Sequence, residues 1–122
     1  MGLDEPVYKD HRGEIHRLDI GGVKFNVLVT KAGLLRSGDY HPHTQYDVIL
    51  SGEMEITLRQ DDKDVVIRKG PNEFISILPE TPHLFRSLTD TVMIEWWDAK
   101  FECQYYKPYR DLIDAQAKQA KK

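Results

Sequence analysis

GLLRSGDYHPHTQ, at residues 33–45, is the stretch around which the rest of this sequence is organised, and Gly52 closes it. Within it, polar side chains that can bind a metal stand at alternate positions: Asp39, His41, His43 and Gln45. Alternate residues of an extended chain lie on one face. One more such group, His83, follows a proline-rich turn far along the chain. We predict that these residues meet inside a small β-barrel and hold a metal ion.

Length and composition bound the class of protein. A chain of 122 residues, 40% of them apolar, suits one domain with a modest core, so a single domain over residues 1–122 is predicted. The net charge of −3 and the pI of about 5.9 disfavour nucleic acid as a partner, because binding it requires a basic face. A small molecule is the expected ligand.

Membrane and export signals are absent from the sequence. No apolar run approaches the roughly 20 residues of a spanning helix, so no membrane partner is expected. Residues 1–5 show neither the charged nor the apolar region of a signal peptide. Cys103 is the one cysteine and has no partner in the chain for a disulfide. This usage favours a reducing compartment, and we expect the cytoplasm.

Short alternating segments bounded by turns fill most of the chain. Strands are predicted at residues 15–20, 24–30, 46–50, 53–60, 64–68, 74–78, 83–88 and 91–97. No helix pattern separates them, which indicates an all-β antiparallel sandwich or barrel. Glu95 alternates with apolar residues, so it either faces solvent or enters the barrel as an acid. A short C-terminal helix is predicted over 108–119, where Pro108 suits the first turn.

The geometry of a metal site constrains how the central stretch folds. Ligand atoms must converge within about 2.0–2.2 Å of one ion. Residues i and i+2 of a strand stand about 6.6 Å apart on one side and can pinch an ion, but six residues of straight strand cover about 20 Å. The chain must therefore bend between His41 and Gln45, with Pro42 and Thr44 as the expected places. Another strand must supply the last ligand, and His83 is the candidate.

These spacings resemble the two motifs of the cupin superfamily. The first motif runs Gly, five residues, His-x-His, three residues, Glu, six residues and Gly, and its positions fall here on Gly33, Asp39, His41, Gln45 and Gly52. The histidine of the second motif falls on His83. The resemblance covers about residues 25–97. It implies the cupin jelly-roll barrel, a double-stranded β-helix, with metal ligands at Asp39, His41, Gln45 and His83.

Two departures from the cupin pattern bear on the metal. Asp39 stands where the family has its first histidine, and Gln45 stands where it has glutamate. Asp39, His41 and His83 still form a set of two histidines and one carboxylate, which suits a divalent first-row ion. The expected cofactor is therefore a divalent metal, Fe, Ni, Mn or Zn.

A second alignment of the same motif is two residues out of step with the first. His41, His43 and Asp47 also have the His-x-His-x-x-x-acid spacing, but this alignment puts Leu35 and Met54 at the glycine positions. A shift of two keeps the same strand face, so either set can point inward. His43 is thus the alternate ligand. Asp47 points inward in both alignments and is the candidate catalytic acid or base.

A narrower resemblance concerns cupins that act on nucleotide-linked sugars. Asp10-His11-Arg12-Gly13 and Leu35-Arg36 resemble stretches of the dTDP-4-keto-6-deoxyhexose 3,5-epimerases and 3,4-ketoisomerases. This resemblance implies that Arg36 contacts substrate, and Phe85 is a further substrate candidate. Asp39 holds the place of the catalytic histidine of those enzymes.

Three functions stay open from the sequence. The first is a metal-dependent cupin acting on a small carbonyl or hydroxy compound of the sugar class. The second is a metal-free sugar-nucleotide epimerase or ketoisomerase. The third is a cupin that binds a small ligand without catalysis. A homodimer is expected, because small barrels often cover open sheet edges by dimerising.

Overall fold

The structure is a computed structural model that describes residues 6–120. Within that range the chain forms eleven strands and a C-terminal helix. The strands are β1 (Val7–Asp10), β2 (Gly13–Ile20), β3 (Val23–Thr30), β4 (Leu35–Tyr40), β5 (Gln45–Ser51), β6 (Met54–Gln60), β7 (Lys63–Lys69), β8 (Phe74–Ile77), β9 (His83–Ser87), β10 (Thr91–Trp97) and β11 (Gln104–Tyr105). The helix is α1 (Lys107–Ala120), which has Pro108 in its first turn as predicted. No helix within residues 6–120 is long and apolar enough to cross a membrane.

The strands form two antiparallel sheets packed face to face. One sheet has the order β1-β2-β3-β10-β5-β8, and the other has the order β11-β4-β9-β6-β7. From β3 to β10 the chain moves repeatedly from one sheet to the other, as in a jelly roll. The predicted all-β jelly roll with a short C-terminal helix is confirmed.

Alternation along the strands creates the core between the sheets. On β6, Met54, Ile56 and Leu58 are buried, while the residues between them are only partly buried, as the pattern predicted. The apolar cluster at the centre contains Leu28, Ile49, Met54, Ile56, Leu58, Ile75, Ile77, Phe85 and Met93. The helix packs on β4 outside this cluster, and a smaller cluster of Leu35, Leu84, Tyr109 and Ile113 holds it there.

The central stretch folds as two strands with a bend between them. Residues 35–40 form β4, residues 41–44 form a loop that contains Pro42 and Thr44, and β5 begins at Gln45. The bend therefore lies where the metal geometry required it. The N-terminal region differs from expectation: residues 7–10, which the sequence analysis left outside the predicted strands, form β1 and pair with β2.

Two glycines permit close approaches that other residues would block. Gly52 has a φ of 83°, and a Cβ there would lie 2.1 Å from the carbonyl oxygen of Asp90. Gly38 has a φ of 69°, and a Cβ there would lie 2.9 Å from Ile113 of α1. Both positions therefore require glycine for conformation and for space.

Candidate metal centre

Asp39, His41 and His83 meet at one end of the barrel interior. Asp39 lies near the end of β4, His41 follows that strand, and His83 begins β9 directly opposite Asp39. Asp39 Oδ1 is 3.5 Å from His41 Nε2 and 3.2 Å from His83 Nε2. One candidate ligand atom from each of the three residues lies within 4.8 Å of the other two. The predicted ligands from two distant parts of the chain are therefore neighbours.

A local irregularity in β4 places Asp39. Ser37 and Gly38 both have positive φ angles, 79° and 69°, and the pairing of β4 with β9 shifts between Ser37 and Asp39. This is the behaviour of a β-bulge, which re-aims the side chains that follow it. The helix packs directly against Gly38, so the bulge is held between α1 and the barrel.

Backbone carbonyls fix the protonation of both histidine rings. His41 Nδ1 lies 2.8 Å from the carbonyl oxygen of Glu102, and His83 Nδ1 lies 2.9 Å from that of Thr81. A carbonyl can only accept a hydrogen bond, so each Nδ1 carries the proton and donates. In a neutral ring the Nε2 atom then presents a lone pair. Carbonyls on the far side of metal-bound imidazoles orient them in the same way.

Three electron-rich atoms therefore face one another in a buried space. His41 and His83 are 3% and 0% exposed. Among residues 6–120, neither Asp39 Oδ1 nor His83 Nε2 has a hydrogen-bond partner. Burial lowers the pKa of His41, which disfavours a proton on that ring. A shared cation satisfies all three atoms at once.

The separations fit a metal ion. Two ligands about 2.1 Å from one ion, at octahedral to tetrahedral angles, stand about 3.0–3.4 Å apart. Of the two distances from Asp39 Oδ1, the 3.2 Å to His83 lies within this range and the 3.5 Å to His41 is just above it. The set of two histidines and one carboxylate is also one that divalent first-row metals accept.

Gln45 connects the triad to a pair of buried acids. Its Nε2 donates to both carboxylate oxygens of Asp47, at 3.1 and 3.0 Å, and lies 3.5 Å from Glu95 Oε2. Its Oε1 is buried without a partner among the described residues. Gln45 thus keeps one free acceptor atom, Oε1, while its Nε2 binds the acid pair.

Asp47 and Glu95 face each other across β5 and β10. Burial, reinforced by the neighbouring carboxylate of Glu95, raises the pKa of Asp47 well above its ordinary value. Burial also raises the pKa of Glu95 to about 7, and Asn26 donates a hydrogen bond of 3.3 Å to its Oε1. The alternative that Glu95 enters the barrel is therefore correct. The alternation of β10 left its direction open, and only its partner strands decide it.

A cavity of about 350 Å³ opens beside the triad. Asp39, His41, Gln45 and Glu95 lie in its wall, together with four arginines: Arg12, Arg17, Arg36 and Arg110. Arg36, the predicted substrate residue, is only 4% exposed, and its N–H groups donate to the neutral oxygens of Thr30 (2.6 Å) and Val29 (3.3 Å). Burial lowers its pKa to about 10, so it remains cationic at neutral pH.

Most of the cavity wall was not predicted. Arg12 comes from the turn before β2, Arg17 from β2 and Arg110 from α1. Trp97 ends β10, and Phe101 lies in the segment after it. Sequence spacing gave no signal for them because each belongs to a different element. Arg12 belongs to the stretch that resembles the enzymes of nucleotide-linked sugars, and its guanidinium donates a hydrogen bond of 2.6 Å to Asp10.

Two predicted site residues belong neither to the triad nor to the cavity wall. The His43 side chain is 35% exposed and stands 3.9 Å from Glu102, outside the group of possible ligands. The structure thus brings together the residues of the glycine-anchored alignment. Phe85 is 1% exposed in the apolar core, next to His83, and does not line the cavity. Its position gives no support to a role in substrate binding.

Larger proteins of known structure contain the same fold. The capsular polysaccharide assembling protein CapF from Staphylococcus aureus aligns with a TM-score of 0.66 and 21% identity over 81% of this chain and 31% of its own. A deletion mutant of Bacillus subtilis oxalate decarboxylase aligns with a TM-score of 0.74 and 12% identity over 93% of this chain and 34% of its own. That decarboxylase has Mn(II) centres.

These likenesses concern the fold. The chain spans about a third of the length of the solved chains that it matches. No protein-family model and no curated protein matches its sequence.

Proposed function

We propose that this protein, which has the cupin jelly-roll fold, binds one divalent metal ion and acts on a small carbonyl or hydroxy compound of the sugar class. Asp39, His41 and His83 would hold the ion, and Gln45 Oε1 would complete the set. One observation carries this proposal. The carboxylate oxygen Asp39 Oδ1 and two imidazole lone pairs face one another in a buried space, with no hydrogen atom between them to form a hydrogen bond. Fe, Ni, Mn and Zn are the candidate ions.

The bound ion would supply Lewis-acid polarisation of a carbonyl or hydroxyl oxygen. The chain's own residues would do the rest. Gln45 holds Asp47 and Glu95 beside the ligand set, and Glu95 lies in the cavity wall. We expect Glu95 to exchange a proton with a bound compound and Asp47 to share that proton with Glu95. The aromatic rings of Trp97 and Phe101 meet edge to face, with centroids 4.7 Å apart, beside His41 and would limit access of water.

Arg36 and its neighbours support a substrate that carries a negative charge. Guanidinium groups bind carboxylate and phosphate through paired hydrogen bonds. Arg36 is a buried cation in the wall of the same cavity as the triad, and the partners of its N–H groups are neutral. The fold shared with CapF, a capsular polysaccharide assembling protein, is consistent with a sugar derivative. A sugar acid or sugar phosphate combines both features.

Metal analysis of untagged protein tests the proposal. We expect about one divalent ion per chain in the wild type and loss of that ion in His41→Ala and His83→Ala. The matched control is His43→Ala, which removes the same side chain from a partly exposed site outside the triad. His43→Ala is expected to retain the ion. A wild-type protein that takes up none of Fe, Ni, Mn or Zn, or equal loss in the control, would contradict the proposal.

Solvent deuterium exchange into keto sugars and sugar acids gives a second readout on the same variants. Exchange that requires added metal and disappears in His83→Ala supports the metal-dependent function. Exchange that persists in chelator-treated protein would instead support the metal-free epimerase or ketoisomerase.

A further inference from the structure

The outward face of the six-stranded sheet is apolar across four adjacent strands, β3, β10, β5 and β8. Side chains at directly paired positions share a face, so the strand registers identify its members. We call this surface the outer face, and it consists of Val23, Phe25, Val27, Val29, Val92, Ile94, Trp96, Tyr46, Val48, Leu50, Phe74 and Ser76. None of these residues is charged.

The packing of the described elements does not explain why this surface is apolar. α1 packs on β4 of the other sheet, and no element within residues 6–120 has extensive contacts with the outer face. Phe74 and Leu50 are 49% and 43% exposed. Tyr46 stacks on Trp96 at 5.6 Å and on Phe74 at 6.0 Å, which forms one continuous aromatic patch.

The outward face of the five-stranded sheet is different. Glu55 pairs with Arg68 on β7 and with Arg86 on β9, and Arg59 pairs with Asp64. Glu55 and Arg86 also form an ion pair across that face, at 3.8 Å. When one face of a sheet is solvated, polar residues on that face alternate along each strand with apolar residues on the buried face. The five-stranded sheet follows this rule, and the outer face does not.

We propose that a second copy of this chain covers the outer face, so that two six-stranded sheets pack back to back in a twofold dimer. A twofold interface joins the same patch on both subunits, and a neutral apolar patch meets itself without like-charge repulsion. Charged residues of the sheet, Lys9 and Glu14, lie at the edge on β1 and β2, where opposite signs can meet across the rim.

The size of the face suits a stable dimer. Six strands at about 4.8 Å spacing span about 24 Å, and seven residues of strand run for about 23 Å. The whole sheet face therefore covers about 550 Å² in projection, of which the four apolar strands supply roughly 330 Å². The accessible area is larger than the projection, and a typical specific interface buries about 800 Å² per partner. The largest exposed apolar patch on a typical monomer is about 300–600 Å² and is often functional.

Light scattering after size exclusion tests the interface with charge substitutions. The wild type is expected at about twice the chain mass of 14.2 kDa. Ile94→Lys, at the centre of the outer face, and Phe74→Lys, at a half-exposed position, are each expected to give a monomer. The matched control is Val66→Lys, a similar change at a residue that is 56% exposed on the five-stranded sheet. It is expected to remain a dimer.

Circular dichroism and metal stoichiometry separate dissociation from misfolding. The substituted side chains point away from the barrel interior, so the monomeric variants should retain wild-type spectra and metal content. If Ile94→Lys fails to fold, Phe74→Lys decides the outcome, because its site tolerates solvent already. A wild type that is monomeric at about 100 μM, whatever else binds the face, would overturn the proposal. A folded Phe74→Lys protein that remains dimeric, or dissociation of the control, would also overturn it.

Discussion

The two ends of the barrel interior are built on the same strands and have opposite chemistry. Three strands each place one apolar and one polar side chain inward, two residues apart: Ile49 and Asp47 on β5, Met93 and Glu95 on β10, and Phe85 and His83 on β9. All six are nearly inaccessible to solvent, so burial alone does not distinguish the two ends.

The difference lies in what burial contributes. At the apolar end it removes carbon from water and stabilises the fold by about 25 cal/mol per Å². At the polar end it removes carboxylates and imidazoles from water, which costs free energy unless each atom finds a partner. Asp39 Oδ1, Gln45 Oε1 and His83 Nε2 have no hydrogen-bond partner among residues 6–120. One end thus stabilises the barrel, and the other holds groups ready for a ligand.

The largest expected effect on stability comes from truncating a side chain at the apolar end. Phe85→Ala removes a side chain that is 1% exposed and leaves a cavity, and we expect the free energy of unfolding to fall by about 3–5 kcal/mol. Urea unfolding of metal-free protein measures this change. Metal stoichiometry should stay at the wild-type value in the folded variant, since Phe85 lies outside the triad. A loss below about 1 kcal/mol would show that the core does not carry the stability assigned to it.

A smaller effect, with a characteristic pH dependence, is expected at the polar end. Glu95 has an ordinary pKa of 4.5 and a native pKa of about 7, so between these values the native state keeps a proton that the unfolded state has released. The free energy of unfolding of the metal-free wild type should therefore fall as the pH rises from about 5 to 8. Glu95→Gln is neutral throughout and should be more stable than the wild type at pH 8 by about 3 kcal/mol.

Urea unfolding at pH 5 and pH 8, with chelator present, measures this difference. Glu55→Gln is the matched control, because Glu55 lies on the outward face of β6 and is expected to leave the pH slope unchanged. Equal pH slopes for the wild type and Glu95→Gln would contradict the assignment of a raised pKa to this carboxyl.

The smallest expected effect is a conservative change beside the acid pair. Ile49→Val removes one methylene from a fully buried side chain two residues from Asp47, and it should cost about 0.5–1.5 kcal/mol at both pH values. Thermal or urea unfolding detects it. A change in pH slope, rather than a uniform offset, would mean that the two ends are coupled instead of separate.

The sequence predicted the parts of the site that depend on local spacing. Asp39 and His41 stand two apart at the end of a strand, Pro42 lies in the bend, and the second cupin-like motif added His83 to them. The pattern did not decide between His43 and Asp39, because a shift of two residues keeps the same face. The bulge at Ser37 and Gly38, which the alternation does not reveal, orients Asp39.

What the sequence by itself determined is eight of the eleven strands, their inward faces and the spacing of the metal ligands. These follow from the period of two along a strand and from glycine and proline at the turns, which are local properties. Only the tertiary structure decided that Glu95 lies against Asp47, that four arginines share the triad's cavity, and that one sheet face is left apolar. Each of these depends on which strands pair and in what register, and that choice is made by the whole barrel at once.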